Sequence, residues 1–343
     1  MRTPRQVLAN GLQAAVASMT LALAMTSAGL AQQQQEQPKQ DTGVQKTTVM
    51  QQAKPVYDEK ADAKKQIADA LAVAKRENQR VLIQWGGNWC TWCIALHHLY
   101  ETDRAVSNKL MYEYQVVYVD IGKSDKNMDL AKAYGADLQK SGVPFLTVLD
   151  AEGKALANQE TESLEATAVE GQEKKVAHDP KKVMDFLTKN QAAYWKAEDV
   201  YAKGLAEANS SGRTAFVHFG APWCPWCHVL EDWMNKPETA ALLAKDFVDV
   251  KIDVDRMTGG KELLTRMGGK EDDGIPWFVF VSADGKVMST STGPKGNTGC
   301  PASADEVAHF KEMLMNAAKK LTPAEIETLT TTVAEAAKKA AGH

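Results

Sequence analysis

The sequence predicts an α/β protein of two tandem domains, each a central mixed sheet flanked by helices. Two observations carry that expectation. The stretches VLIQWGGNWCTWC (81–93) and AFVHFGAPWCPWC (215–227) share one design: a β-favouring apolar run, a small-residue turn, then Trp-Cys-x-Trp-Cys. The likeness continues downstream at an offset of 132 to 134 residues. YVDIG (118–122) matches KIDVD (251–255), AYG (133–135) matches RMG (266–268), and GVPFLTVLDAEGK (142–154) matches GIPWFVFVSADGK (274–286). A repeat sustained over that span is a duplicated domain.

Each copy opens on an amphipathic helix, expected over 59–78 with Ile67, Leu71 and Ala74 on one face, and over 196–209 with Val200, Leu205 and Ala208. A buried strand follows (81–86; 215–220), then a helix that starts at the Cys-x-x-Cys. Next come a strand (115–121; 247–254), a helix (126–135; 260–267) and a strand entered through Gly-Val-Pro or Gly-Ile-Pro. The turns Ala151-Glu152-Gly153 and Ala283-Asp284-Gly285 lead to a last strand and a closing helix. Ser303 and Glu306 form the capping box of the second closing helix. A polar insert at about 157–178 reads as a surface loop of the first copy.

The domains are expected at 58–193 and 194–320, followed by a helical C-terminal tail at 321–343, with Thr322 as N-cap and Pro323 at the first helical position. Ahead of them, residues 1–31 read as an export signal. Arg2 and Arg5 precede an uncharged, mostly apolar run from Leu12 to about Met25, and Gly29-Leu30-Ala31 supplies small residues for cleavage. Ser18, Thr20 and Thr26 interrupt that run and make it a poor membrane span. Residues 32–57 form a glutamine-rich linker with too little apolar surface to offset the entropy of ordering. The expected location is therefore periplasmic or secreted, with membrane contact only if the N-terminal segment is retained.

Composition narrows the function. With 343 residues, 44% apolar and 24% charged, the chain is an ordinary globular protein, and a net charge of -4 offers no basic footprint for nucleic acid. Five cysteines cannot staple a chain of this size. Four of them form two CxxC pairs, Cys90/Cys93 and Cys224/Cys227, and Cys300 stands apart. A thiol exchanges with a disulfide only as thiolate, and a helix N-terminus favours that anion. Cys90 and Cys224 sit at that end and are the candidate nucleophiles. Cys93 and Cys227, one turn further in, are the candidate resolving thiols.

The order β-α-β-α-β-β-α, with Trp-Cys-x-x-Cys after the first core strand and a later Ile/Val-Pro, resembles the thioredoxin fold over roughly 58–190 and 196–320. The Trp-Cys-x-Trp-Cys form is similar to that of bacterial exported thioredoxin-like proteins. The resemblance implies that Pro144 and Pro276 are cis and lie against the CxxC pairs, and that Val143 and Ile275 pair their backbone with a bound substrate. It also implies an apolar rim of tryptophans, with Trp92 and Trp226 as the foremost substrate contacts and Trp89 and Trp223 behind them. Thioredoxins carry an aspartate six residues before the first cysteine as proton acceptor; here that position holds Gln84 and His218. Glutamine takes no proton, whereas His218 is a candidate acceptor, a buried core histidine being the other reading.

The expected activity is thiol–disulfide exchange on cysteine-containing protein substrates, with a redox partner that recharges the dithiols and with no organic cofactor. Two sites on one chain suit isomerisation or relay. Cys224-Pro225-Trp226-Cys227-His228 also matches a c-type haem site, but the first copy continues with Ile94, which cannot ligate iron. Zinc on Cys90, Cys93, His97 and His98 would lack a counterpart in the second copy, where Glu231 and Asp232 stand. His97, His98 and His228 are expected as exposed helix residues, and no metal site is assigned. DVDRMTGGKE (253–262) lacks the ligands of a calcium loop. Cys300 is expected as a buried, inert thiol, with a regulatory or intermolecular thiol as the alternative. The competing class is a non-catalytic binding module whose disulfides are structural.

Overall fold

The computed structural model describes residues 55–167 and 176–342. The expected export signal, the linker up to residue 54 and the middle of the polar insert lie outside the described residues.

The first domain starts with α1 (Ala63–Glu77), capped by the Asp62 carboxylate on the Lys64 and Lys65 amides and closed by Asn78 in the left-handed region at φ 52°. β1 (Arg80–Gly86) follows, buried from Val81 onward. The helix expected after the CxxC is two helices, α2 (Thr91–Thr102) and α3 (Arg104–Glu113). The break falls at Asp103, whose extended backbone ends α2 while its carboxylate caps α3. β2 (Tyr114–Asp120), α4 (Met128–Ala133), α5 (Leu138–Ser141), β3 (Phe145–Leu149), β4 (Ala155–Glu160) and α6 (Pro180–Asn190) complete the domain.

The second domain repeats this order without a counterpart of helix α5. It runs through α7 (Ala197–Ser211), β5 (Thr214–Gly220), α8 (Pro225–Met234), α9 (Pro237–Leu243), β6 (Phe247–Asp253), α10 (Gly260–Arg266), β7 (Trp277–Val281) and β8 (Val287–Thr290). A small hairpin of β9 (Thr292–Gly293) and β10 (Gly296–Asn297) then precedes α11 (Ala304–Ala317), and α12 (Pro323–Ala340) follows. Ser303 and Glu306 form the capping box of α11.

Each domain holds one four-stranded mixed sheet, in the orders β2-β1-β3-β4 and β6-β5-β7-β8. The first core strand is central in each. It pairs parallel with β2 or β6 and antiparallel with β3 or β7. Side chains alternate across that strand, so each sheet buries an apolar cluster on both faces. In the first domain Val81, Ile83 and Trp85 cluster with Ile67 of α1, while Leu82 clusters on the other face with Leu96 of α2, Val106 of α3 and Phe186 of α6. The second domain has the same two layers, one under α7 and α10 and one under α8, α9 and α11.

Two segments pack more closely than their sequences suggest. Helix α12 inserts Ile326, Leu329, Val333 and Ala337 into the cluster of Trp233, Phe310 and Leu314. The insert expected as a surface loop is built in at both ends: β4 runs to Glu160, Glu165 bridges to His178, and His178 is buried.

The two domains meet end to side. Arg256, after β6, donates to the carbonyls of Glu77 and Asn78 and to the Glu113 carboxylate. Tyr194 donates to the same carboxylate at 2.7 Å. The edge of the second domain beside its CxxC thus rests on the ends of α1 and α3, opposite to the end of β1 that leads to Cys90.

Candidate functional site: two disulfides at helix N-termini

Both CxxC pairs are disulfides, with Cα–Cα distances of 5.2 Å for Cys90–Cys93 and 5.3 Å for Cys224–Cys227. Each first cysteine is the N-cap of its helix, with the same φ of -88° and ψ of 104°, and its sulfur accepts the amide of the second cysteine at 3.1 Å. A sulfur at that place receives a free helix amide and the positive end of the helix dipole, both of which favour a thiolate. Accessibility differs between the sites. Cys90 is 6% exposed against 0% for Cys93, while Cys224 and Cys227 are both 2% exposed.

The peptide bonds Val143–Pro144 and Ile275–Pro276 are cis. Cys90 Sγ lies 3.6 Å from the Val143 carbonyl oxygen and Cys224 Sγ lies 3.5 Å from that of Ile275. The structure therefore brings together, at each site, both cysteines and the residue preceding the proline. Both prolines are buried, and Val143 and Ile275 are half-buried.

The tryptophans divide differently from expectation. Trp89 and Trp223 are the most open, at 54% and 51% exposed, and Trp226 is also exposed. Their indole nitrogens are not free: Trp89 donates to the Gly122 carbonyl and Trp223 to Asp255 at 2.7 Å. Trp92 is half-buried and stands edge-on to His178 at 5.4 Å, so the returning end of the insert covers part of it.

Behind each disulfide the two halves diverge. In the first domain the Gln84 amide donates to Tyr57 Oη at 2.7 Å and to the Cys93 carbonyl at 3.1 Å. A methyl built on Gly86 would lie 2.5 Å from Tyr57 Oη and 2.6 Å from Cys93 Sγ, so hydroxyl and sulfur share one small space. Burial pushes the Tyr57 phenol well above its ordinary pKa, against the Gln84 hydrogen bond, and it stays neutral. His97, half-buried rather than exposed, bonds Tyr118 Oη at 2.9 Å.

In the second domain the matching positions are charged. His218 replaces Gln84, Lys251 replaces Tyr118 in the strand register, and Glu231 replaces His97 four residues past the second cysteine. A methyl on Gly220 would lie 3.2 Å from Cys227 Sγ and 3.6 Å from Glu231 Oε1. The group sharing the space behind Cys227 is thus a buried carboxylate, held by Lys251 at 2.7 Å. His218 is buried, and its Nε2 faces Asp249 Oδ1 at 2.9 Å. Burial alone would lower its pKa, but the Asp249 and Glu231 carboxylates outweigh burial and raise it.

Reading the residues alone missed Tyr57, Glu231 and Lys251. Glu231 carried a signal, because it follows Cys227 by one helical turn and so shares its face. Tyr57 carried none, being far from the motif in sequence. Among the described residues no three His, Cys, Asp or Glu side chains converge as a metal-binding group, and no helix is long and apolar enough to cross a membrane.

The family model described as thioredoxin-like matches residues 62–151 and again 195–283, together more than half of the chain. Among solved structures the chain is similar to a disulphide isomerase from Xylella fastidiosa Temecula1, at 30% identity over 40% of this chain and 97% of that one, with a TM-score of 0.33. It is also similar to a thioredoxin from Thermus thermophilus, at 31% identity over 26% of this chain and 69% of that one, with a TM-score of 0.23. No curated protein matches the chain.

Proposed function

The chain belongs to the thioredoxin-like family, and on that premise we propose that it exchanges disulfides with cysteine-containing proteins through two separate dithiol sites. The observation that carries this reading is the repeated contact between the N-capping sulfur and the carbonyl preceding the proline, at 3.6 Å and 3.5 Å. It sets the more nucleophilic sulfur beside a backbone edge where an extended substrate chain can pair, through Val143 or Ile275.

The exchange proceeds in two balanced steps. In the reducing direction the Cys90 or Cys224 thiolate attacks one sulfur of a substrate disulfide. The new S–S bond forms as the old one breaks, and the electron pair leaves on the substrate's other sulfur, which takes a proton. Cys93 or Cys227 then gives up its proton, attacks the first cysteine and expels the substrate's remaining thiolate. The substrate gains two electrons, and the protein is left with the disulfide seen here. A redox partner carrying a dithiol restores it. The oxidising direction is the reverse.

Proton transfer from the resolving thiol is where the sites differ. The first site offers the neutral Tyr57–Gln84 pair, and the second offers Glu231 and His218. We assign Glu231, which shares the space behind Cys227, as the acceptor, and the His218–Asp249 pair as its electrostatic support. Trp226 and the exposed indoles of Trp89 and Trp223 supply the apolar surface beside the sulfurs, and Trp92 contributes its uncovered edge. The sites work independently on substrate. The seven residues of β1, about 23 Å of strand, lie between the domain contact and the end leading to Cys90, too far for direct sulfur exchange.

The sequence of residues 1–31 supports work outside the cytoplasm, where disulfides persist. Trapping tests the reading. The mature chain with Cys93→Ser should hold a disulfide-bonded substrate protein, such as insulin, in a covalent complex at Cys90 that dithiothreitol releases. Cys227→Ser should do the same at Cys224. Absence of any mixed disulfide with either variant overturns it.

A further inference from the structure

Residues of the first domain reach the groups that flank the second CxxC pair from two sides. Behind it, the Lys251 ammonium lies between Glu231, beside Cys227, and Glu77 at the end of α1. In front of it, the Asp255 carboxylate accepts from the Trp223 indole at 2.7 Å and from the Tyr112 hydroxyl, at the end of α3, at 3.2 Å. Neither arrangement has a counterpart at the first site, where Tyr118 replaces Lys251 and bonds His97. The buried guanidinium of Arg256, fixed to the Glu77 and Asn78 carbonyls, keeps the two domains in the register that both contacts need.

We infer that the first domain sets the redox behaviour of the second dithiol, with Glu77 as a positioning residue that acts on Cys227 through Lys251 and Glu231. The inference rests on the reading of Cys224/Cys227 as an exchanging pair. Lys251 sits between two carboxylates, so it is shared. Glu77 draws part of its charge away from Glu231 and from the sulfurs. Burial opposes the Lys251 ammonium, but the Glu77 and Glu231 carboxylates outweigh burial and hold it charged. The other titratable or charged groups facing this cluster are Arg76 from α1, His228 from α8, His218 from β5, and Asp249 and Asp253 from β6.

The sign of the effect follows. Glu77→Gln removes one negative charge and leaves Lys251 to Glu231 alone, so the surroundings of Cys227 become more positive and its thiolate is favoured. The second dithiol should become more oxidising, with its equilibrium constant against glutathione moving about 3- to 10-fold. A tenfold change corresponds to about 30 mV for a two-electron couple. Lys251→Met should move it the opposite way, because two facing carboxylates remain without a cation.

The experiment is a redox titration of the full mature chain, with thiols trapped by alkylation and counted by peptide mass at each pair. The expected result is an oxidising shift at Cys224/Cys227 with Glu77→Gln, recovery with Glu77→Asp, and no shift at Cys90/Cys93. A second pair that titrates in the parent chain yet ignores Glu77→Gln overturns the inference alone. So does an equal shift at both pairs, which would mark general loosening of the fold. A second pair that resists reduction even in the parent chain overturns the functional reading itself.

Discussion

Arg256 of the second domain and Glu113 of the first form an ion pair across the domain boundary, Nη2 to Oε2 at 3.0 Å, with side chains only 5% and 1% exposed. Such a pair is poor evidence of net stabilisation, because both charges were taken out of water. Breaking it is another matter. Arg256→Met strands the Glu113 carboxylate with the Tyr194 hydroxyl as its remaining partner. The expected cost is about 3–5 kcal/mol in chemical denaturation of the protein. A loss below about 1 kcal/mol would mean that water reaches the pair or that the domains separate freely.

The spaces behind the two disulfides differ in size, which a single methyl group can test. On Gly86 it would crowd Tyr57 Oη at 2.5 Å and Cys93 Sγ at 2.6 Å, whereas on Gly220 its nearest neighbours are Cys227 atoms at 3.2 Å. Gly86→Ala should destabilise by about 1–3 kcal/mol, as overpacking does. Gly220→Ala should cost clearly less. Thermal unfolding of the two variants side by side gives the comparison, and equal losses would contradict the packing described.

His218 makes stability depend on pH. Its pKa is raised in the folded state, so the stability it contributes is fully present below its unfolded value of about 6.5 and is lost as pH rises through the folded value. The exposed Asp249 carboxylate is held below its ordinary value by His218, so its own contribution fades as pH falls through its depressed folded value. His218→Gln should therefore cost more stability at pH 5.5 than at pH 8.5. Urea midpoints at the two values check this. A penalty that grows with pH would show that the imidazole is neutral in the folded protein.

Cys300 should stay silent. It is buried in the cluster with Phe310 and Leu314, and burial, with Glu306 nearby, pushes its thiol up to about 12. Alkylation at pH 8 should label it only after denaturation. Stoichiometric labelling of the native chain would reopen a regulatory role for it.

Much of this architecture was legible in the residues. Duplication at a nearly constant offset fixed the order of strands, and apolar periodicity placed α1, β1, α7 and β5 to within a few residues. The packing of α12 was half-legible, since Ile326, Leu329 and Val333 recur at helical spacing although nothing local says which surface they meet. The domain contact was not legible. Glu77, Tyr112 and Glu113 at helix ends, Lys251 inside β6 and Arg256 in the turn after it are polar residues that in sequence look like any solvated surface. Their pairing exists only once the two domains have met. The same holds for Tyr57, which reaches Cys93 across 36 residues of chain.

The most direct measurement is an equilibrium titration of the protein in glutathione and dithiothreitol buffers, with each CxxC followed by alkylation and peptide mass. Cys90/Cys93 and Cys224/Cys227 should both titrate, at different potentials, between about -270 and about -120 mV. A value near the lower end would identify a reductase, and one near the upper end an oxidase or isomerase. If neither pair is reduced above about -300 mV, both disulfides are structural and the protein is a binding module.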